Sequence, residues 1–143
     1  MRVALIRHTE VGVPKGTCYG RTDVALHSDW RAHVAQVVNR CPWKVAHNDP
    51  VASSPSRRCR VLANALGGAV SMDPRWMEFD FGHWEGRAWH DLPRAEIDAW
   101  ANDLVSARPP GGESLEDVAL RATAVFEHWL DREPERLIVV AHG

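Results

Sequence analysis

Two histidines and two arginines follow directly on runs of apolar residues, and the chemistry such a grouping could carry out is phosphoryl transfer. Val3-Ala4-Leu5-Ile6 runs into Arg7-His8-Thr9-Glu10, and Leu137-Ile138-Val139-Val140-Ala141 stops at His142. Between them, Val51-Ala52-Ser53 leads through Ser54-Pro55-Ser56 to Arg57. Guanidinium groups present forked donors that match phosphate oxygens. A neutral imidazole, titrating near ~6.5 when free, is an adequate nucleophile around neutral pH. A carboxylic acid would complete the set by protonating the departing alkoxide, and Glu78, Asp80 and Glu85 fall in one short stretch. Taken singly, each of these reads as an ordinary solvated loop residue. Only their grouping argues for a site.

Residues so far apart need a scaffold that collects strand ends. An unbroken apolar run is the pattern of a strand buried on both faces of a parallel sheet, and open α/β sheets place ligands beyond the carboxyl ends of their strands. Three such strands would deliver Arg7, His8, Arg57 and His142 to one edge. Residues 10 to 28 lack periodicity and carry Gly12, Pro14, Gly16 and Gly20, a loop long enough to cover that edge. Ser28 is placed to cap a helix with the stripe Trp30, Val34, Val37, Val38 and Cys41. Ser54 reads as a second cap, with Pro55 at the first helical position and Arg57 in the first turn, near free N–H groups. Arg58 and Arg60 are read as solvated. A short strand is expected within residues 69 to 78 and a helix over 93 to 105, with Ile97, Trp100, Ala101 and Leu104 on one face. Ser114 and Asp117 have capping-box spacing before a helix whose stripe is Leu115, Val118, Ala119, Ala122, Val125, Phe126 and Trp129.

These motifs together resemble the histidine phosphatase superfamily, which includes cofactor-dependent phosphoglycerate mutases and many small phosphatases. The resemblance is carried by Leu5 to Glu10, Ser53 to Arg57, Glu78 to Gly86, Gly111-Gly112-Glu113-Ser114 and Val139 to Gly143, in the family's order. It implies a three-layer α/β/α sandwich around a mainly parallel sheet, one domain over 1–143, with His8 as nucleophile and Glu78 as general acid. It further implies phosphate binding by Arg7, Arg57 and His142, and substrate contact at Tyr19 and Gly20. Asp80 and Glu85 then serve to hold the acid loop together. Lys15 to Asp23 is most similar to the α-ribazole phosphatase branch, enzymes of cobalamin nucleotide-loop assembly. Relatives normally continue with a further helix and strand after the second histidine. Ending at Gly143 reads as a fragment, a truncated reading frame or a fold completed by a partner. Thr9, where many relatives have glycine, is another departure.

Composition narrows the alternatives. A net charge of −2 gives no general field for nucleic acid or a membrane surface. Cys18, Cys41 and Cys59 lack metal-ligand spacing. No metal or cofactor is expected, the partner is a small phosphorylated metabolite, and the absence of a leader or spanning run points to the cytoplasm. An uncovered sheet edge leaves homo-oligomerisation open. The rival readings are a phosphoglycerate mutase-like enzyme and a non-catalytic phospholigand-binding module. A zinc deaminase, suggested by His8-Thr9-Glu10, lacks the Pro-Cys-x-x-Cys element.

Overall fold

A computed structural model describes the chain from Met1 to Gly143. Its centre is a four-stranded, fully parallel sheet built from β1 (Arg2–Arg7), β2 (Pro50–Ser53), β3 (Ala69–Met72) and β4 (Arg136–Ala141), in the order β1-β4-β2-β3. Parallel neighbours require long crossovers, and three helices supply the covering layers. On one face lie α1 (Trp30–Asn39) and α2 (Arg57–Leu66). Val34, Cys59, Leu62 and Leu66 pack there on Val51, Ile138 and Val140. A third helix, α3 (Arg94–Asn102), stands to one side. The other face of the sheet carries α4 (Leu115–Leu130), through Val125 and Trp129 against Ala52, Leu137 and Val139. The alternation of Leu137 and Val139 with Ile138 and Val140 between the two clusters is the period-two signature of a strand. This is the sandwich that the resemblance implied.

A smaller cluster stands beside the sheet. Helix α3 sends Ile97 and Trp100 onto Trp84, with Leu92, Phe81 and Trp89 around them. The Trp84 and Trp100 rings meet edge to face at 5.7 Å, a favoured aromatic geometry. Leu104 lies past the end of α3 and is exposed, so the expected stripe is shorter than its periodicity suggested.

Three local expectations can be compared with the helix ends. Asp29, not Ser28, occupies the N-cap of α1, and its side chain makes no capping bond. The N-cap of α2 is Ser56, so Ser54 and Pro55 belong to the turn and Arg57 is the first helical residue. The cause is visible: Ser54 N–H follows the sheet and donates to Val140 O at 3.0 Å. At α4 the expected box is present, Ser114 Oγ accepting from Asp117 N–H and the Asp117 carboxylate from Ser114 N–H.

The largest correction concerns β1. Its apolar run is not buried on both faces. Ala4 and Ile6 pack toward α1 and α2, whereas Leu5 on the opposite face is 76% exposed. β1 is an edge strand, and α4 covers β2 and β4 without reaching it. Between β1 and the start of α4 runs a groove of ≈ 520 Å³, lined by Leu5, Leu115, Val118 and Ala122 and also by Arg7, Glu78, Arg121 and His142. The front half of the α4 stripe is therefore uncovered, with Leu115 47% exposed.

Candidate active site

Strand register brings the two histidines together. Arg7 pairs with Ala141 across β1 and β4, and His8 N–H donates to Ala141 O at 3.1 Å. The next residue on each strand is a histidine. Their ring centroids stand 5.2 Å apart at 62°, close to the spacing of neighbouring strands.

The tautomer of His8 follows from one contact. His8 Nδ1 lies 2.7 Å from Thr9 O; a carbonyl can only accept, so Nδ1 carries the hydrogen and the Nε2 lone pair is left free. The departure from glycine at Thr9 leaves this contact intact, because the backbone carbonyl makes it, but buries a hydroxyl that has no partner. His142 is held from behind: Nε2 is 2.9 Å from Ser54 Oγ, 3.4 Å from Ser56 Oγ and 3.5 Å from Cys59 Sγ. Its Nδ1 faces Glu78 Oε2 at 3.9 Å. Glu78 Oε1 accepts Phe79 N–H at 2.8 Å, which leaves the other oxygen turned toward the histidines.

The arginine from α2 is not the one that sequence reasoning selected. Arg57 is exposed, and its backbone N–H is taken by Asp23 Oδ1 at 2.8 Å. Arg58, read as solvated, is fully buried. It donates from Nη1 to Thr22 O at 3.0 Å and from Nη2 to Gly20 O at 2.5 Å, and lies over the Tyr19 ring. Its charge is felt by both histidines. Its Nε is buried and has no partner, a donor that asks for an acceptor. One residue of helical phase separates the two arginines, a rotation of about 100° that turns one inward and the other to solvent. Arg60 is exposed, as read.

A cavity of ≈ 310 Å³ opens on Arg7, His8, Glu78, Thr17, Tyr19, Phe81 and Trp89. Gly20 lies behind this wall: it is buried, and a Cβ there would stand 1.8 Å from Phe79 O. Its lack of a side chain lets the covering loop meet the acid loop. Asp80 and Glu85 hold that junction. Glu85 accepts the N–H groups of Arg21 (2.9 Å), Thr22 (2.7 Å) and Phe81 (3.2 Å) as well as the Thr22 hydroxyl, and Asp80 Oδ1 accepts Gly82 N–H. Two largely buried charged residues, Glu113 and Arg121, were given no role from sequence. The Gly-Gly-Glu-Ser motif was the one signal for the first.

Burial pushes the His8 pKa down to about 4, helped by the positive charges of Arg58 and Arg7. Burial also pushes His142 down to about 3, with Arg58, His8, Arg121 and Arg7 acting in the same direction. Both rings are neutral in the folded protein while the unfolded chain protonates below about 6.5. The unfolded state thus binds more protons, and stability falls as pH drops from about 6.5 toward about 4. We expect denaturant midpoints to decline over that window, with a slope approaching about 1.4 kcal/mol per pH unit for each imidazole. A His8→Gln variant should show a shallower decline; an unchanged slope would contradict the assignment.

Known proteins share this fold and sequence pattern. A crystal structure of the α-ribazole phosphatase from Shigella flexneri superposes with TM-score 0.83 at 25% identity, over 99% of this chain and 74% of that one. The crystal structure of TTHB049 from Thermus thermophilus does so with TM-score 0.78 at 26% identity, over 100% and 79%. In sequence, the protein named "Probable phosphoglycerate mutase GpmB" of Erwinia tasmaniensis is 30% identical over 152 residues, covering this whole chain and 70% of the relative. The sequence model of the histidine phosphatase superfamily (branch 1) matches residues 3–143. That match spans nearly the whole chain and includes both histidines, Arg58 and Glu78, and the chain belongs to the histidine phosphatase superfamily.

Proposed function

We propose that the chain is a phosphomonoesterase working through a phosphohistidine on His8. The observation that carries this is the pairing of a free Nε2 lone pair on His8 with Glu78 and Arg7 on the wall of one cavity. Arg7, Arg58 and His142 hold the phosphoryl oxygens, with the Arg58 Nε the donor most in need of one. Nε2 attacks phosphorus, the P–O bond to the alcohol breaks, and Glu78 gives its proton to the leaving oxygen. The carboxylate then takes a proton from water, whose oxygen attacks phosphorus as the P–N bond breaks, releasing inorganic phosphate and a neutral imidazole. The Arg7 guanidinium and the free Nε of Arg58 supply the electrostatic part.

The substrate class follows from the remaining wall. Tyr19, Phe81 and Trp89 face the catalytic groups across the cavity, and Phe81 meets Trp89 edge to face at 5.4 Å. Such a wall favours a leaving group bearing a flat aromatic ring. α-Ribazole 5′-phosphate, a cytoplasmic intermediate of cobalamin synthesis, fits that description. Base–aromatic stacking is worth about 1–3 kcal/mol. We therefore expect kcat/KM for α-ribazole 5′-phosphate to exceed that for ribose 5-phosphate by about 10- to 100-fold. Tyr19→Leu should shrink the ratio several-fold. Both substrates lose the same primary alkoxide, so leaving-group strength cancels. Equal rates would reject the aromatic preference and leave phosphatase chemistry standing.

The mutase relatives favour a second reading, isomerisation of phosphoglycerate. It requires the phosphohistidine to outlast an exchange of product. Conversion of 3-phosphoglycerate to its isomer on addition of bisphosphoglycerate would establish it.

A further inference from the structure

Resting on the reading of Glu78 as the general acid, we infer that Arg121 of α4 is the positioning residue that presents this carboxylate to the histidines. All five of its N–H donors are used. Nη1 donates to Arg75 O (2.8 Å) and Met77 O (2.5 Å). Nη2 donates to Glu78 O (3.0 Å) and Glu113 Oε1 (2.6 Å), and Nε to Glu113 Oε2 (3.1 Å). One planar group therefore fixes three carbonyls within residues 75 to 78, the end of the stretch from β3 to the acid.

Glu113 extends the same hold. It lies two helical turns before Arg121, at the entrance to α4, with its side chain 11% exposed. Its Oε1 also accepts Asp80 N–H at 2.9 Å, and its own N–H donates to Asp80 O at 3.0 Å. Arg21 Nη2 reaches Oε2 at 3.2 Å. The main chain is thus clamped on both sides of Glu78, at residues 75 to 78 and again at 80. Between the clamps, Phe79 N–H fixes one carboxylate oxygen and leaves the second 3.9 Å from His142 Nδ1. Arg121 lines the groove beside Glu78 and His142, but every one of its donors is committed to a protein acceptor, so it acts through the backbone of its neighbour. A lysine keeps the charge opposite Glu113 but cannot reproduce the fork.

The test uses kcat/KM, which reports steps up to departure of the alcohol, on ribose 5-phosphate and on p-nitrophenyl phosphate. The second loses a good leaving group and needs little protonation. Glu78→Gln should cost about 10²–10³-fold on ribose 5-phosphate and far less on the nitrophenyl ester. Arg121→Lys should show the same asymmetry at about 10- to 100-fold, and should cost less than about 3-fold when added to Glu78→Gln. Equal losses on both esters, or an undiminished loss in the double variant, would overturn the positioning role. If Glu78→Gln itself shows no asymmetry, the general-acid reading fails instead. Amide hydrogen exchange gives a readout without turnover. Arg121→Lys should deprotect Phe79 and Asp80 while β4 and the body of α4 stay protected; general deprotection, or none, would overturn the inference. Paired Arg121→Gln and Glu113→Gln, which leaves no lone buried charge, should reproduce the asymmetry should the single variant prove unstable.

Discussion

His8→Ala is expected to lower turnover of any phosphomonoester by at least about 10⁴-fold, and to abolish acid-labile labelling of the protein by substrate phosphate. The size follows from the proposed role: without an imidazole at that position, water must attack directly, and the remaining donors only bind. Folding should survive, because the ring's hydrogen bond goes to its own neighbour, Thr9, and the backbone N–H that ties residue 8 to β4 is retained. His142→Ala should be milder, since it removes one donor to phosphate and leaves the attacking atom. If the His8 variant retained turnover, or if label appeared on His142 in its place, the assignment of nucleophile would fall.

The second large effect separates two adjacent arginines. Arg58→Met should lower kcat/KM by about 10²–10³-fold, the usual loss when a donor to the transition state is removed. Arg57→Met should stay within about 3-fold of wild type, as expected of a side chain left in solvent. Arg58 also anchors the covering loop through the carbonyls of Gly20 and Thr22, so a loosened loop is the competing source of its loss. Inorganic phosphate distinguishes the two. It should raise the melting temperature of wild type and of Arg57→Met, and leave that of Arg58→Met unmoved. The reverse order of effects would restore the sequence-based choice and refute the structural one.

That choice shows where sequence reasoning stops. The strands, their direction and the histidines at their ends were legible because buried parallel strands leave long apolar runs, and the capping box at Ser114 was legible from local spacing. Arg57 and Arg58 carry the same side chain one residue apart. Which points inward depends on whether the helix begins at Pro55 or at Arg57, and the cap of α2 is set by the hydrogen bond between Ser54 and Val140 of β4, a contact between distant parts of the chain. Glu113 and Arg121 were hidden for a related reason: a largely buried ion pair two helical turns apart looks in sequence like ordinary surface charge. The exposure of Leu5 could not be read from β1, since an edge strand and a central one share the same apolar composition until their neighbours are known.

The order β1-β4-β2-β3 has a bearing on biosynthesis. β4 is the last of the four strands to leave the ribosome, yet it lies between β1 and β2, which touch each other nowhere in the sheet. A nascent chain growing at ~5–20 residues per second therefore carries β1 and the β2–β3 pair for several seconds without the strand that joins them. During that interval His8 has no second imidazole beside it, and the apolar faces of β1 and β2 are open to chaperones or to aggregation. The meeting of the two histidines and the joining of β1 to the β2–β3 pair are one event, so a chain stopped before β4 should hydrolyse nothing.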